Sequence, residues 1–296
     1  MLHNQGTIVV GVDGSDASNR ALRWAADQAR ADHRAITLAH ALTTVAPAYV
    51  GAAMVNVADA REALVLSARP VLDAARDEVT RIAPDVEVRE VVEFADAGEL
   101  LIGMSSTAAM VVVGSHGRGT VLSKLLGSVG VRVMRRAHCP VTVVRPSNPG
   151  TVRNGVLVGL DALPESHPVL ELAYREASRR GLPLTVLHVA WSSTTGNLEA
   201  AYLPATTEER EAEQLALSET MAGMAEKYPD VRATTRFAEG RPDELLVRMG
   251  ERMDLLVVGA HQVHGLERVL FGSVSVAVVE QAACPVVVVP VVAVHA

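Results

Sequence analysis

The sequence predicts an α/β protein of two tandem, doubly wound (Rossmann-like) domains, each built on a five-stranded parallel sheet. Short aliphatic runs alternate with Ala-rich stretches of helical spacing, and the whole order occurs twice along the 296 residues. Hydrophobic residues make up 49% of the chain but aromatic residues only 3%. An aliphatic composition of this kind is typical of buried parallel strands covered by helices.

The first four elements follow from local composition and period. Residues 7–12 (TIVVGV) form a short apolar run, which predicts a buried strand. Residues 16–31 are Ala-rich and predict a helix, and residues 36–42 form a second apolar strand. Residues 59–82 predict a helix because apolar side chains recur at helical spacing, at Leu64, Val71, Ala75, Val79 and Ile82.

The remaining elements of the first half are shorter. Residues 86–92 alternate as a strand does, residues 98–104 predict a short helix, and residues 110–114 form a fourth strand. Residues 128–136 predict a helix and residues 141–144 a fifth strand. Strand–helix alternation implies right-handed crossovers and an open parallel sheet, in which ligands bind beyond the carboxyl ends of the strands.

The second half repeats the first. The block VVGVD at 9–13 matches LVGLD at 157–161, and MVVVGSHG at 110–117 matches LLVVGAHQ at 255–262. Matched blocks lie 148 residues apart early in each half and 145 apart later, which indicates duplication of a whole domain. A Pro/Gly-rich linker, RPSNPG, separates the halves, and we predict domains at 1–146 and 154–296.

Charge and composition argue against several classes of protein. The net charge of −7 and the absence of a long basic run disfavour nucleic-acid binding. No apolar stretch approaches the ~20 residues of a membrane span, and the first residues do not resemble a secretion signal, so we expect a cytoplasmic protein. Cys139 and Cys284 are too few for a disulfide framework, and we predict that they pack in the core.

The residues most suited to chemistry follow the fourth strand. They read Gly114-x2-Gly117-x9-Gly127-Ser128, with Asp13 closing the first strand. Glycines let main-chain N–H groups approach an anion, and a helix that begins at Ser128 would direct free amides and a positive dipole toward phosphate. Turn formation is the alternative role of these glycines. A P-loop and a Gly-x-Gly-x-x-Gly after the first strand are both absent.

This motif resembles that of the ATP-binding branch of the universal stress protein family, and the whole chain resembles its tandem members. The resemblance implies an adenine-nucleotide-hydrolase-like fold and bound ATP, with Mg²⁺ or Mn²⁺ bridging the phosphates. It also implies a role in stress adaptation, such as slowed growth or low oxygen. In the first half it assigns nucleotide contacts to Val12, Asp13, Ala41, Val113, Gly114, Gly117, Gly127, Ser128 and Val129.

The second half departs from this motif at one position. Gln262 stands where the second glycine is expected, although the spacing to the following Gly-Ser is intact. Its side chain would either crowd the phosphates or hydrogen-bond them, so we predict a weaker or altered site there. The matching positions are Asp161, Val189, Val258, Gly259, Gly272, Ser273 and Val274.

Other polar residues have simpler interpretations. Asp13 could cap the following helix instead of contacting a ligand. His40 and His188 lie within apolar strands, and we expect them to be hydrogen-bonded core residues rather than bases or metal ligands. The sequence shows no persuasive general base, nucleophile or Walker-type lysine beside the glycine-rich segment. We therefore predict no catalytic residue and no metal-ligating side chains.

The sequence is compatible with three functions. The chain is an ATP-binding regulator coupled to conformation or to an unknown protein partner, a slow ATP hydrolase, or a ligand-free scaffold. The last strand of each half, residues 141–144 and 286–289, is apolar and is a candidate edge strand, whose unpaired main-chain groups need a partner. We expect the two halves to pair through them as an intramolecular pseudo-dimer, with a homodimer as a further possibility.

Overall fold

The structure is a computed structural model of the chain. It describes residues 6–42, 57–115, 127–146, 152–161, 163–191, 207–262 and 273–292. The chain divides into two compact units, Met1–Pro146 and Ser147–Ala296.

The described part of the first unit contains five strands and four helices. The strands are β1 (Ile8–Gly11), β2 (Ile36–Leu42), β3 (Val88–Phe94), β4 (Met110–Gly114) and β5 (Val141–Val144). The helices are α1 (Asp16–Asp32), α2 (Val57–Ile82), α3 (Ala97–Ser105) and α4 (Ser128–Arg136). Neighbouring strands are parallel, in the order β3-β2-β1-β4-β5.

This strand order places the helices in two pairs. From β1 the chain moves outward through β2 to β3, and then returns to β4 and β5 on the other side of β1. Right-handed crossovers therefore put α1 and α2 on one face of the sheet and α3 and α4 on the other. The reversal of direction lies between β1 and β4, where ligands of doubly wound sheets bind.

Helix α1 has clear start and stop signals. Ser15 is its N-cap and accepts a hydrogen bond from the Ser18 main-chain nitrogen at 3.2 Å. The helix ends at His33, whose φ of 51° is left-handed. Its buried face is mostly alanine, which allows the helix axis to approach the sheet closely.

An ion-pair cluster joins α1 to α2. The Arg23 guanidinium lies 2.6 Å from one Glu78 oxygen, and Arg81 lies 2.9 Å from the other. Hydrogen bonds from Arg81 and then Arg23 lower the pKa of Glu78 from 4.5 to about 2.

The described part of the second unit repeats this architecture. Its strands are β6 (Val156–Leu160), β7 (Leu184–Trp191), β8 (Ala233–Gly240), β9 (Leu255–Gln262) and β10 (Val286–Val292). Its helices are α5 (His167–Arg180), α6 (Thr207–Lys227), α7 (Pro242–Gly250) and α8 (Ser273–Gln281). The parallel order is β8-β7-β6-β9-β10.

The predicted fold class is confirmed, with a small shift at β3. The sequence predicts this strand at 86–92, whereas it spans Val88–Phe94. The Val86 nitrogen still donates to the Ala83 carbonyl in the turn after α2, which delays the start of the strand. The strand ends later because Phe94 pairs with Leu42 at the end of β2.

Among the described helices, none combines the length and the apolar character needed to cross a membrane.

Candidate functional site

The carboxyl end of β1 carries the first predicted site residues. Val12 is buried, and its main-chain nitrogen donates to the Ala39 carbonyl at 3.0 Å. The next residue, Asp13, accepts a hydrogen bond at Oδ1 from the Ser15 nitrogen at 2.9 Å. Gly14 turns the chain with a φ of 77°, a conformation that favours glycine. Asp13 thus lies in a tight turn between β1 and α1.

The alternative in which Asp13 caps α1 is wrong, because the N-cap is Ser15. Ser18 strengthens the same turn, since its hydroxyl donates to the Ser15 carbonyl at 3.0 Å. The capping role of these two serines was not predicted from the sequence. The spacing Ser-x-x-Ser directly before an Ala-rich stretch was the available signal for this cap.

The carboxyl end of β4 carries Val113, which is buried, and Gly114. A Cβ atom at Gly114 would lie 2.5 Å from the main-chain carbon and oxygen of Ala17. The missing side chain of Gly114 is therefore required for α1 to pack against β4. The sequence motif predicts only a nucleotide contact for this glycine, and its packing role is evident only in the structure.

Helix α4 begins beside the end of β4. Gly127 is its N-cap and supplies no side-chain oxygen to the first-turn amides. The Gly127 nitrogen donates to the Ser115 carbonyl at 2.9 Å, and the Ser115 nitrogen donates to the Val144 carbonyl at 3.1 Å. These bonds hold the start of α4 next to the end of β4. Gly117 itself lies outside the described residues.

The charges on α4 suit an anion at its amino end. Ser128 is exposed, and the first turn contains no acidic residue. Arg135 and Arg136 lie in the last turn, where they match the negative end of the helix dipole. A helix start with glycine as its N-cap can donate main-chain hydrogen bonds to a bound anion.

Two ion pairs fasten α4 to α3. Arg132 lies 2.5 Å from Asp96, and Arg136 lies 2.6 Å from Glu99. Asp96 also caps α3 by accepting hydrogen bonds from the Gly98 and Glu99 nitrogens. The hydrogen bond from Arg132 is the main cause of the lowered pKa of Asp96.

The described site residues of the first half lie at one edge of the sheet. The strands β2, β1 and β4 are adjacent and parallel, so their carboxyl ends meet. The residues at these ends and at the start of α4 are Ala41, Val12, Asp13, Val113, Gly114, Gly127, Ser128 and Val129.

The two strand histidines are hydrogen-bonded core residues, as the sequence predicts. The Nδ1 atom of His40 lies 2.7 Å from the Val12 carbonyl oxygen, and that of His188 lies 3.0 Å from the Leu160 carbonyl oxygen. Both rings are buried. Their partners, which were not predicted from the sequence, are the carbonyls directly before Asp13 and Asp161.

The second half forms a similar turn after β6. Asp161 accepts at Oδ1 from the Leu163 nitrogen at 3.2 Å and from the Ser166 hydroxyl at 2.5 Å. Val189 lies within β7, and Ser273 and Val274 begin α8. Gly272 lies outside the described residues.

The strand that carries Val258 and Gly259 differs in length from its counterpart. Strand β4 ends at Gly114, but β9 continues for three residues past the equivalent Gly259. Gln262 is the last of these residues and pairs with Val292 of β10. The residue that replaces the second glycine therefore lies in a strand.

The strand pairs beside this position are also longer in the second half. The β1–β2 register ends at Gly11 with Ala39, whereas β6–β7 extends one pair further, to Leu160 with His188. The β1–β4 register likewise ends one pair earlier than β6–β9. Strand pairing in the second half thus includes Leu160 and His188, whereas their first-half counterparts lie one position past the register and are linked by the bond from the Val12 nitrogen to the Ala39 carbonyl.

The two cysteines are unsuited to nucleophilic chemistry. Both are buried free thiols, and burial raises the pKa of each to about 12. A thiol must ionise before it can attack, so neither cysteine suits a nucleophile. Because both are buried, Cys139 and Cys284 are core residues. No cluster of three or more His, Cys, Asp or Glu side chains suited to a metal occurs among the described residues.

Comparison with known proteins identifies the family. The model of the universal stress protein family matches residues 5–145 and again residues 153–290. A universal stress protein of Mycolicibacterium smegmatis is 34% identical over 289 residues, covering 95% of this chain and 96% of that protein. One from Mycobacterium tuberculosis is 35% identical over 295 residues, covering 96% and 97%.

A solved structure supports the fold. The crystal structure of a universal stress protein from Archaeoglobus fulgidus covers 98% of this chain and 99% of its own, with a TM-score of 0.70 and 17% identity. The duplicated α/β architecture, the two family matches and the full-length relatives agree, and the chain belongs to the universal stress protein family.

Proposed function

We propose that the first half of this chain binds ATP and that nucleotide occupancy regulates the conformation or partner binding of the protein. The ATP-binding domain is residues 1–146, and residues 154–296 form a second domain with a weaker or altered site. The family membership, the Gly-x2-Gly-x9-Gly-Ser motif and the geometry around β1, β4 and α4 support this proposal.

The start of α4, whose N-cap is a glycine, suits the phosphates. The main-chain N–H groups of its first turn and the exposed Ser128 hydroxyl would donate hydrogen bonds to phosphate oxygens. Gly127 brings no side chain to this position, so a phosphate can approach the main chain. Gly117 would complete the phosphate site.

The ends of β1 and β2 suit the nucleoside. Asp13 would lie near the sugar and Ala41 near the adenine, while Val12, Val113 and Val129 would contribute main-chain contacts. Mg²⁺ or Mn²⁺ would bridge the phosphates of the bound nucleotide.

The observation that carries the proposal is the difference in strand length between the halves. In the first half β4 ends at Gly114, next to the start of α4. In the second half the equivalent segment pairs with β10 as far as Gln262. Main-chain groups that pair within a sheet cannot also bind phosphate, so strand pairing as far as Gln262 argues against a phosphate site at this position of the second half.

The proposal is tested by measuring nucleotide content and affinity. Purified protein is denatured and the released nucleotide is identified by chromatography, and ATP binding in the presence of Mg²⁺ is titrated calorimetrically. Wild type is expected to bind one ATP tightly per chain. Gly117→Glu is expected to weaken this binding by at least about a hundredfold, because a carboxylate would repel the phosphates at close range.

Gln262→Glu is the matched control, since it places the same side chain at the equivalent position of the second half. It is expected to leave the tight site unchanged. Two equally tight sites would contradict the difference between the halves, and no binding at all would favour a ligand-free scaffold. Stoichiometric conversion of bound ATP to ADP would favour a hydrolase.

Regulation needs a separate measurement. A ligand shifts a conformational equilibrium only if it binds the two states unequally. Hydrogen exchange with and without ATP is expected to show protection around the ends of β1 and β4 and the start of α4. Altered exchange in a region distant from these ends would indicate a second conformation.

A further inference from the structure

One buried hydrogen bond joins the two strand ends that would contact the nucleoside. The Nδ1 atom of His40 lies 2.7 Å from the Val12 carbonyl oxygen, and the residue is 9% exposed. A carbonyl oxygen only accepts, so Nδ1 carries the hydrogen and donates it. Val12 directly precedes Asp13, and His40 directly precedes Ala41. The bond therefore links the segments that carry both residues.

The position of this bond relative to the sheet is informative. The β1–β2 register ends at Gly11 with Ala39, one pair before Val12 and His40. The Val12 nitrogen still donates to the Ala39 carbonyl of β2, and the imidazole holds the carbonyl of the same residue, which is the first residue past the register. In the second half the register itself includes Leu160 with His188, and the corresponding histidine contact is longer, at 3.0 Å.

We propose that His40 is a positioning residue of the nucleotide site, which acts by holding the Val12 carbonyl and thereby fixing the spacing between Asp13 and Ala41. This inference rests on the proposed ATP binding by the first half. Without the bond, the ends of β1 and β2 separate more easily, and the site must be ordered when ATP binds. His188 has no such role for ATP, because strand pairing already holds Leu160 in place.

Two amide variants separate the bond from the bulk of the side chain. In His40→Asn the side-chain NH₂ lies near the former Nδ1 position and can donate to the Val12 carbonyl. In His40→Gln the amide lies one carbon further out and cannot make the same contact. We expect Asn to bind ATP within about threefold of wild type, and Gln to bind at least about tenfold more weakly, since a buried acceptor loses its donor.

The controls are His188→Asn and His188→Gln, which make the same changes in the second half. Both are expected to leave the tight ATP site within about twofold of wild type. In a Trp191→Phe background, the fluorescence of Trp24 monitors folding of the first unit at the titration temperature. If His40→Gln does not fold, His40→Leu, which has no donor, takes its place in the comparison with Asn.

The outcomes distinguish the two proposals. If wild type binds ATP and the Asn and Gln variants have equal dissociation constants, the positioning role of His40 is wrong while ATP binding stands. An equal loss of affinity in His188→Gln would also overturn it, because the effect would then be general loosening of the fold. If wild type binds no ATP, both proposals fail.

Discussion

Substitution of Gly114 by alanine tests the close packing of α1 on β4. The added Cβ would lie 2.5 Å from the main-chain carbon and oxygen of Ala17. Non-bonded carbon atoms prefer a separation of about 3.5–4.0 Å, so the start of α1 must move by about 1 Å. The obstructing atoms belong to the main chain and cannot rotate away. Overpacking of a core typically costs about 1–3 kcal/mol, and we expect about 3 kcal/mol here.

Gly259→Ala is the matched control in the second unit. Its added Cβ would lie 3.2 Å from the Cγ2 atoms of Val169 and Val291. These are ends of side chains, which can shift by a few tenths of an ångström. We therefore expect this variant to cost less than about 1 kcal/mol.

The assay is urea unfolding monitored by tryptophan fluorescence. The chain has two tryptophans, Trp24 in the first unit and Trp191 in the second. A Trp191→Phe background lets Trp24 monitor the unit that contains Gly114, and a Trp24→Phe background serves the control. The free-energy change follows from the midpoint shift and the slope of the transition.

Two results would refute this reasoning. One is a Gly114→Ala protein within about 1 kcal/mol of its parent, and the other is an equal cost for Gly259→Ala. The first would mean that α1 moves away from β4 without loss of packing. The second would mean that any methyl group at this strand position is costly, whatever it contacts.

Three further predictions concern stability and reactivity. Arg81 and Arg23 lower the pKa of Glu78 to about 2, so the advantage of wild type over Glu78→Gln is full above about pH 4.5 and is lost as the pH falls toward 2. Unfolding curves across this range should show a difference of about 1 kcal/mol or less, because both arginines are largely exposed. Asp96→Ala removes both a helix cap and an ion pair, and it should lower the free energy of unfolding by about 1–2 kcal/mol in the same urea assay. Arg132→Ala removes only the ion pair and should lower it by about 0.5 kcal/mol. The two cysteines should not react with a thiol reagent at about pH 8 in the folded protein, because burial keeps the thiols protonated. Both should react after denaturation. Reaction in the folded state at the rate of a free thiol would contradict their burial.

Much of the fold could be predicted from local sequence. Local composition predicts strands at the aliphatic runs of β1 and β4 and a helix at the Ala-rich stretch of α1. The predicted boundaries lie within a few residues of those in the structure. The repeat of these patterns predicts that the second unit has the same architecture. The glycine motif and Asp13 also indicated the place where the strand order reverses, between β1 and β4, because each follows one of these strands directly.

The sequence by itself thus determined the order of elements, the duplication and the place of the candidate site. Only the tertiary structure decided that Gly114 makes room for Ala17, that His40 holds the Val12 carbonyl, and that Gln262 ends an extended strand. Each of these facts depends on the approach of segments that are distant in sequence. Local periodicity specifies how a segment folds, whereas the distance between two segments depends on how the whole sheet and its helices pack.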